Sequence, residues 1–218
     1  MIKKIIIGIY SAVFLVAVIV GILSKQTYTN ITQQDDVMDY FSVALINSEL
    51  ASGVIRRMEE ELPNANIILK VEAEGEIEHM FKRNKQLVSV TEVYKGENIK
   101  KGDKVFIVAS NWQFFFDDMT ANMGFINLLE KDSEYLVFID DKVKALDTND
   151  NNTYHLIDTI IAPVFNYKDK ENTIIEVSDD NYYVPYSKVS KNEFFVSSKD
   201  ALDKIENLKY KLLAKYDK

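Results

Sequence analysis

The chain has no cysteine. That excludes disulfides, thiolate catalysis, cysteine-ligated metal and a lipid-modified cysteine anchor. Only seven glycines and three prolines occur in 218 residues, too few for a collagenous or low-complexity chain. No glycine-rich phosphate loop, nucleophile elbow or HExxH pair is present, so nothing announces an α/β enzyme or a zinc hydrolase. The two histidines, His79 and His155, stand apart from each other and do not make a zinc site without carboxylate partners. The sequence therefore assigns no catalytic residue, no metal and no cofactor.

Basic charge is also scarce. Against 34 Asp and Glu there are 26 Lys and Arg, and three of these (Lys3, Lys4, Lys25) fall in the first 25 positions, which hold no acid; 23 basic residues remain to face 34 acidic ones. So acidic a segment repels phosphate backbones, and nucleic acid is not expected as a partner. The charge suits solubility and mutual repulsion, or an acidic face for a basic partner.

What the chain does have is one long charge-free run. Ile5 to Leu23 reads IIIGIYSAVFLVAVIVGIL. At 1.5 Å per residue it spans roughly 28 Å as a helix, close to the roughly 30 Å of a bilayer's hydrocarbon. A helix also pairs its own backbone groups, as lipid requires. Lys3 and Lys4 before the run favour a cytoplasmic N-terminus, with the rest extracytoplasmic. Residues 1–25 thus read as a single-pass membrane anchor, with 5–23 in the lipid. A cleaved signal peptide and a buried core helix are rival readings. The exit, Val20-Gly21-Ile22-Leu23-Ser24-Lys25, is a poor small-x-small cleavage site.

Residues 26–62 read as a stalk followed by one or two helices. Val37, Phe41, Ala44 and Leu45, and then Leu50, Val54, Met58 and Leu62, recur at helical spacing, with Asn47-Ser48 as a cap and Pro63 as a stop. The period then changes to two. Ile67, Leu69, Val71, Ala73, Gly75 and Ile77 alternate with Ile68, Lys70, Glu72, Glu74, Glu76 and Glu78, which predicts a long half-buried strand with a bulge at Gly75. Further strands are predicted at 86–94, 104–109, 134–139, 154–161 and 173–177, with short extended pieces at 182–184 and 194–196. Arg83-Asn84-Lys85, Lys95-Gly96-Glu97-Asn98 and Lys101-Gly102-Asp103 are read as turns. Residues 111–127 are the least regular. A β domain over 63–196 is followed by a helix over 197–218, capped by Ser197-Ser198 and striped by Leu202, Ile205, Leu208 and Leu212. It is expected to pack on that domain.

The stretch SVTEVYKGENIKKGDKVFIV at 89–108, followed by LLEKDSEYLVFI at 128–139, resembles the OB-like domains related to tissue inhibitors of metalloproteases and netrin modules. The likeness covers about 70 residues well and about 120 loosely as sequence pattern. It implies a mainly β fold: an OB-like β-barrel with flanking α-helices, its YKG and KGD segments turning between strands. The animal inhibitors act through an N-terminal cysteine, which this chain lacks, so their activity does not carry over.

Among surface candidates, Trp112, Phe114 and Phe116 stand out. Three consecutive phenylalanines cannot all face one side of a strand, and large aromatics suit recognition sites as well as cores. Glu72, Glu74 and Glu76 form a second candidate, as an acidic face for a cationic partner. As a catalytic pair they lack anything to separate their pKa values. Asp147, Asn149, Asn151 and Asp158 approximate calcium-loop spacing, but Asn152 replaces the turn glycine and Asp158 the bidentate glutamate. Asn30-Ile31-Thr32 and Asn151-Asn152-Thr153 fit the glycosylation pattern. The expected function is non-catalytic binding of a protein or peptide by a membrane-anchored extracytoplasmic domain. A structural or assembly subunit of an envelope complex, and a hydrolase or hydrolase inhibitor, are the alternatives.

Overall fold

A computed structural model describes the backbone at residues 2–27, 37–80, 83–144, 152–177 and 182–216. The chain divides into two compact units, Met1–Val37 and Met38–Lys218.

The first unit holds helix α1, Ile2–Thr27. Its side chains are described at Gly8 and over Tyr10–Leu23, and all of these are exposed. Among the described residues no helix is long and apolar enough to cross a membrane. The continuous described stretch of α1 side chains, at 1.5 Å per residue, reaches only about 21 Å, and the charge-free run extends beyond it. Most of the stalk proposed at 26–32, and Asn30-Ile31-Thr32 with it, lies outside the described residues.

The second unit is mainly β with flanking helices. Its strands are β1 (Ser42–Ala44), β2 (Ile67–Met80), β3 (Arg83–Lys95), β4 (Lys104–Val108), β5 (Trp112–Phe115), β6 (Thr120–Met123), β7 (Glu134–Lys142), β8 (Thr153–Leu156), β9 (Val164–Asn166) and β10 (Tyr183–Pro185). Helix α2 spans Ser48–Glu61 and α3 spans Lys199–Tyr216.

The alternation at Ile67–Glu78 does form β2. Leu69, Val71 and Ala73 turn inward beside the cross-strand partners Val137, Val90 and Val88. Partners across a sheet share a face, so this builds one continuous apolar layer. Fully burying one such side chain contributes about 1.5–3 kcal/mol. Gly75 takes φ +76, and pairing with β3 lapses between Ala73 and Ile77. A Cβ there would meet the Lys131 Cβ at 2.9 Å, so the bulge needs glycine for conformation and for space. The opposite face carries Ile68, Leu136 and Phe138; the Phe138 ring meets Phe165 and the Tyr216 ring of α3 edge-on, at 6.2 and 5.8 Å.

The sheet as a whole is not the closed barrel expected. Its order, β10-β1-β6-β5-β3-β2-β7-β8-β4 with β9 on β7, is open. The reason lies in the 111–127 segment, whose residues 112–123 form a β5–β6 hairpin. It joins β3 at Arg83–Gln113 and carries β1 and β10 outward, so four strands extend past any ring. Within this sheet five strands do pair in a circuit. β2 pairs with β3, β3 with β4, β4 with β8 in parallel, β8 with β7, and β7 with β2 again.

Other local expectations shift. The helical spacing at Val37–Leu45 gives a 3-10 turn at Val37–Tyr40 and then β1, because β1 is held by non-local pairing to β6 and β10 rather than by its own period. Arg83-Asn84-Lys85 belongs to β3 and is no turn. The strand expected at 154–161 stops at Leu156, and 173–177 is not a strand. The C-terminal helix forms as expected, with the Ser198 hydroxyl accepting from the Ala201 N–H at 3.1 Å.

Candidate functional site

The aromatic candidates divide between core and surface. Trp112 and Phe114 are fully buried, paired across the hairpin with Met123 and Ala121. Phe114 also packs on Phe41 at 4.9 Å. Their work is packing, for a physical reason: alternate residues of β5 face a core that β1 and β6 complete. Phe116, just beyond the strand, is exposed at 38 % and meets the Phe41 ring at 5.4 Å.

The glutamate row is broken by the Gly75 bulge. Glu72 lies in regular pairing and is exposed; Glu76 is exposed beyond the bulge. Glu74 is half-buried, accepts from the Ser89 hydroxyl and pairs with the Lys104 ammonium at 2.9 Å. The Ser89 hydrogen bond first, then Lys104, holds its carboxyl below the usual range. Glu78 pairs with Lys85 at 2.8 Å. Two of these four carboxylates are therefore already matched by cations of the chain itself.

The calcium-like spacing is not assembled by the described residues. Asp147, Asn149 and Asn151 lie outside them, the Asn152 amide donates to the Lys104 carbonyl at 2.8 Å, and Asp158 accepts from the Ser110 hydroxyl. Thr153 is buried in β8. His155 Nδ1 sits 2.9 Å from the Leu156 carbonyl; the His79 side chain is outside the described residues. Among the described residues no group of three His, Cys, Asp or Glu is placed to hold a metal.

The concave feature lies elsewhere, between α2 and the loop at 157–160. Helix α2 starts there because Asn47 is its N-cap, its side chain accepting from the Leu50 N–H at 2.9 Å. Ala51, Val54 and Met58 turn into the core. Leu50, Gly53 and Arg57 are left on an exposed flank of the same helix. The facing wall is fixed from two sides. The Asn111 amide donates to the Thr159 and Ile160 carbonyls at 3.2 and 2.9 Å. The Ala162 N–H donates to the Gly124 carbonyl at 2.9 Å. Gly124 takes φ +61, and a Cβ on it would meet both the Ala162 Cβ and the Asn111 amide at 2.9 Å. This close approach is what seats the loop.

Between these walls is a cavity of about 770 Å³, within the range of ligand clefts, roughly 300–1,000 Å³. Leu50, Val54, Met58, Phe125 and Ile160 give it an apolar lining. Leu50 and Ile160 are exposed at 41 % and 47 %. Phe125 adopts φ +56. A bulky side chain in the left-handed region costs about 1–3 kcal/mol and is held only where surroundings impose it. A second recess of about 390 Å³ shares Arg57 and Asp158 with the first and continues past Glu60, Glu61, Asn64 and Asp140. Arg57 donates to Glu61 at 2.7 Å, and that hydrogen bond raises the guanidinium pKa further.

Sequence reasoning placed Leu50 among residues recurring at helical spacing and did not single out Asn111, Phe125 or Ile160 as site residues. Leu50 was legible as part of an amphipathic helix. That Asn111 and Ile160 face it depends on contacts about fifty residues and more along the chain. No protein-family model matches this chain, and no curated protein matches it.

Proposed function

We propose that this is a single-pass membrane protein with a cytoplasmic N-terminus, whose extracytoplasmic β domain binds a protein or peptide without performing catalysis. The α2 groove is its binding site. The observation that carries the reading is that groove: exposed apolar side chains on a rigid helix and a pinned loop, rimmed by polar groups, are how recognition sites combine affinity with orientation. The membrane assignment rests on the charge-free run Ile5–Leu23, the lysines before it and the apolar side chains exposed all along Tyr10–Leu23. A helix apolar on every side is stable only in an apolar surround. The circuit of five pairing strands within the open sheet supports an OB-like module related to the tissue-inhibitor and netrin domains. The acidic balance supports a partner other than nucleic acid. Phe116, Glu72 and Glu76, as exposed groups, remain a secondary surface.

The test is site-specific photocrosslinking in intact cells of the source, with the benzophenone amino acid placed at Leu50, at Ile160 or at Phe116, after carbonate washing of the membranes. The expected result is a chain retained in the washed membrane, with one discrete adduct from positions 50 and 160. A carbonate-soluble, uncleaved chain would end the membrane reading. An adduct from position 116 alone would move the site away from the groove.

A further inference from the structure

The groove has two compartments of different character, and their difference specifies the occupant. The first is apolar, built on Leu50, Val54, Met58, Phe125 and Ile160. The second is acidic, holding Glu60, Glu61 and Asp140. Asp158 and Arg57 stand at the junction, lining both. With Glu49 at the far end, five carboxylates face the combined groove against one guanidinium. That guanidinium is committed to Glu61 at 2.7 Å. The lining therefore presents excess negative charge next to apolar surface. Resting on the groove being a binding site, we infer that it takes a short peptide segment carrying an apolar side chain and, within a few residues of it in either direction, lysine or arginine.

The chemistry follows from each compartment. Apolar side chains gain about 25 cal/mol per Å² removed from water, and the exposed Leu50 and Ile160 are what they would cover. A cationic side chain then meets Asp158, Glu60 and Asp140. Asp158 is fixed by accepting from the Ser110 hydroxyl, and Asp140 by accepting from the Asn66 amide at 3.2 Å. Anchored carboxylates lose little side-chain freedom on pairing, which favours them as docking points. An acidic segment meets the same groups as like charges, so the recess rejects it as well as selecting its opposite. A second copy of this chain fits poorly, because its net charge is −8.

The experiment is fluorescence anisotropy on the full chain in nonionic detergent, using fluorescein-labelled hexapeptides LFGKRK, its reverse KRKGFL, neutral LFGQQQ and acidic LFGEEE. At least one cationic peptide is expected to bind about tenfold or more tightly than the neutral one, with the acidic one weakest, and to weaken as salt rises. The combined variant Asp158→Asn, Glu60→Gln, Asp140→Asn is expected to bring cationic and neutral peptides to equal affinity. Leu50→Ala is expected to weaken every peptide. Thermal unfolding confirms that each variant is folded, and the single variant Glu60→Gln, at an exposed position, serves if the triple is not. Equal binding of neutral and cationic peptides, with both weakened by Leu50→Ala, would overturn the charge selectivity and leave the groove as a binding site. Cationic binding that ignores the carboxylate variants would overturn it too, as attraction to overall charge. No binding by any peptide would overturn both this inference and the groove on which it rests.

Discussion

Helices α2 and α3 run side by side in the same direction, yet they do opposite things with their faces. The Ser48 and Ser198 hydroxyls meet at 2.7 Å at the two helix starts, and Glu59 pairs with Lys211 at 2.9 Å further along. Helix α3 buries six positions: Ala201, Leu202, Ile205, Leu208, Lys209 and Leu212. Helix α2 buries only Ala51, Val54 and Met58 and leaves Leu50 in the open. A buried ion pair also belongs to α3. The Lys209 ammonium, 2 % exposed, donates to Glu193 at 2.6 Å and to the Lys168 carbonyl at 3.2 Å, while Glu193 also accepts from the Asn166 N–H at 2.8 Å. The lesson is that α3 is a fastener, whereas α2 is half fastener and half wall of a cleft. Two helices of similar amphipathic pattern are separated in role only by what the distant chain lays against them.

That contrast can be broken most sharply at the buried ion pair. Lys209→Ala leaves the buried Glu193 carboxyl without its cation and is expected to cost about 3–5 kcal/mol, read as a lowered denaturation midpoint of the full chain in nonionic detergent. Leu208→Ala on the same face is expected to cost about 2–5 kcal/mol; a loss below about 1 kcal/mol would mean that α3 is not packed as described. Acidity tests the pair without deleting an atom's worth of volume. Burial outweighs the lowering by Lys209 and raises the Glu193 pKa above its usual 4.5. Its contribution to stability is therefore fully present below the unfolded value and is lost as pH rises through the folded one. Urea midpoints of the parent chain and of Glu193→Gln, taken between about pH 4 and pH 8, should show the parent losing ground to the variant as pH rises. A constant difference would refute the raised pKa.

On α2 the effects are smaller. Asn47→Ala removes the N-cap and is expected to cost about 1 kcal/mol, read by the same unfolding measurement. Leu50→Ala should change stability by no more than about 0.5 kcal/mol, because Leu50 is 41 % exposed and lies outside the buried set Ala51, Val54 and Met58. A loss like that at Leu208 would make Leu50 a core residue and remove the cleft's rim.

Much of the β framework was legible where a single strand carries its own pattern. The alternation from Ile67, the bulge at Gly75 and the turns at Gly96 and Gly102 all follow from local chemistry, and the glycines take positive φ. What was not legible depended on pairing. Ser42–Ala44 carries helical spacing but is a strand because β6 and β10 flank it. Asn84 and Lys85 look like turn residues yet sit buried in β3. The candidate site suffers the same limit. Trp112 and Phe114 advertise themselves by type, but their faces are set by a hairpin that only the sheet explains. The groove residues Leu50, Asn111 and Ile160 carry no motif and gain meaning only by convergence.

The position of β1 has a consequence for how the molecule is made. It is the first strand of its unit to leave the ribosome, yet one of its neighbours, β10, is separated from it by about 140 residues of chain, a span that raises the entropy cost of closure. Just after β1, the Ile46 N–H donates to the Phe195 carbonyl and the Ser197 N–H to the Ile46 carbonyl. The start of the domain therefore waits, edge unsatisfied, until its end has been synthesised. A chain cut short before residue 183 would leave that early strand exposed as an adhesive margin, however well its middle had folded.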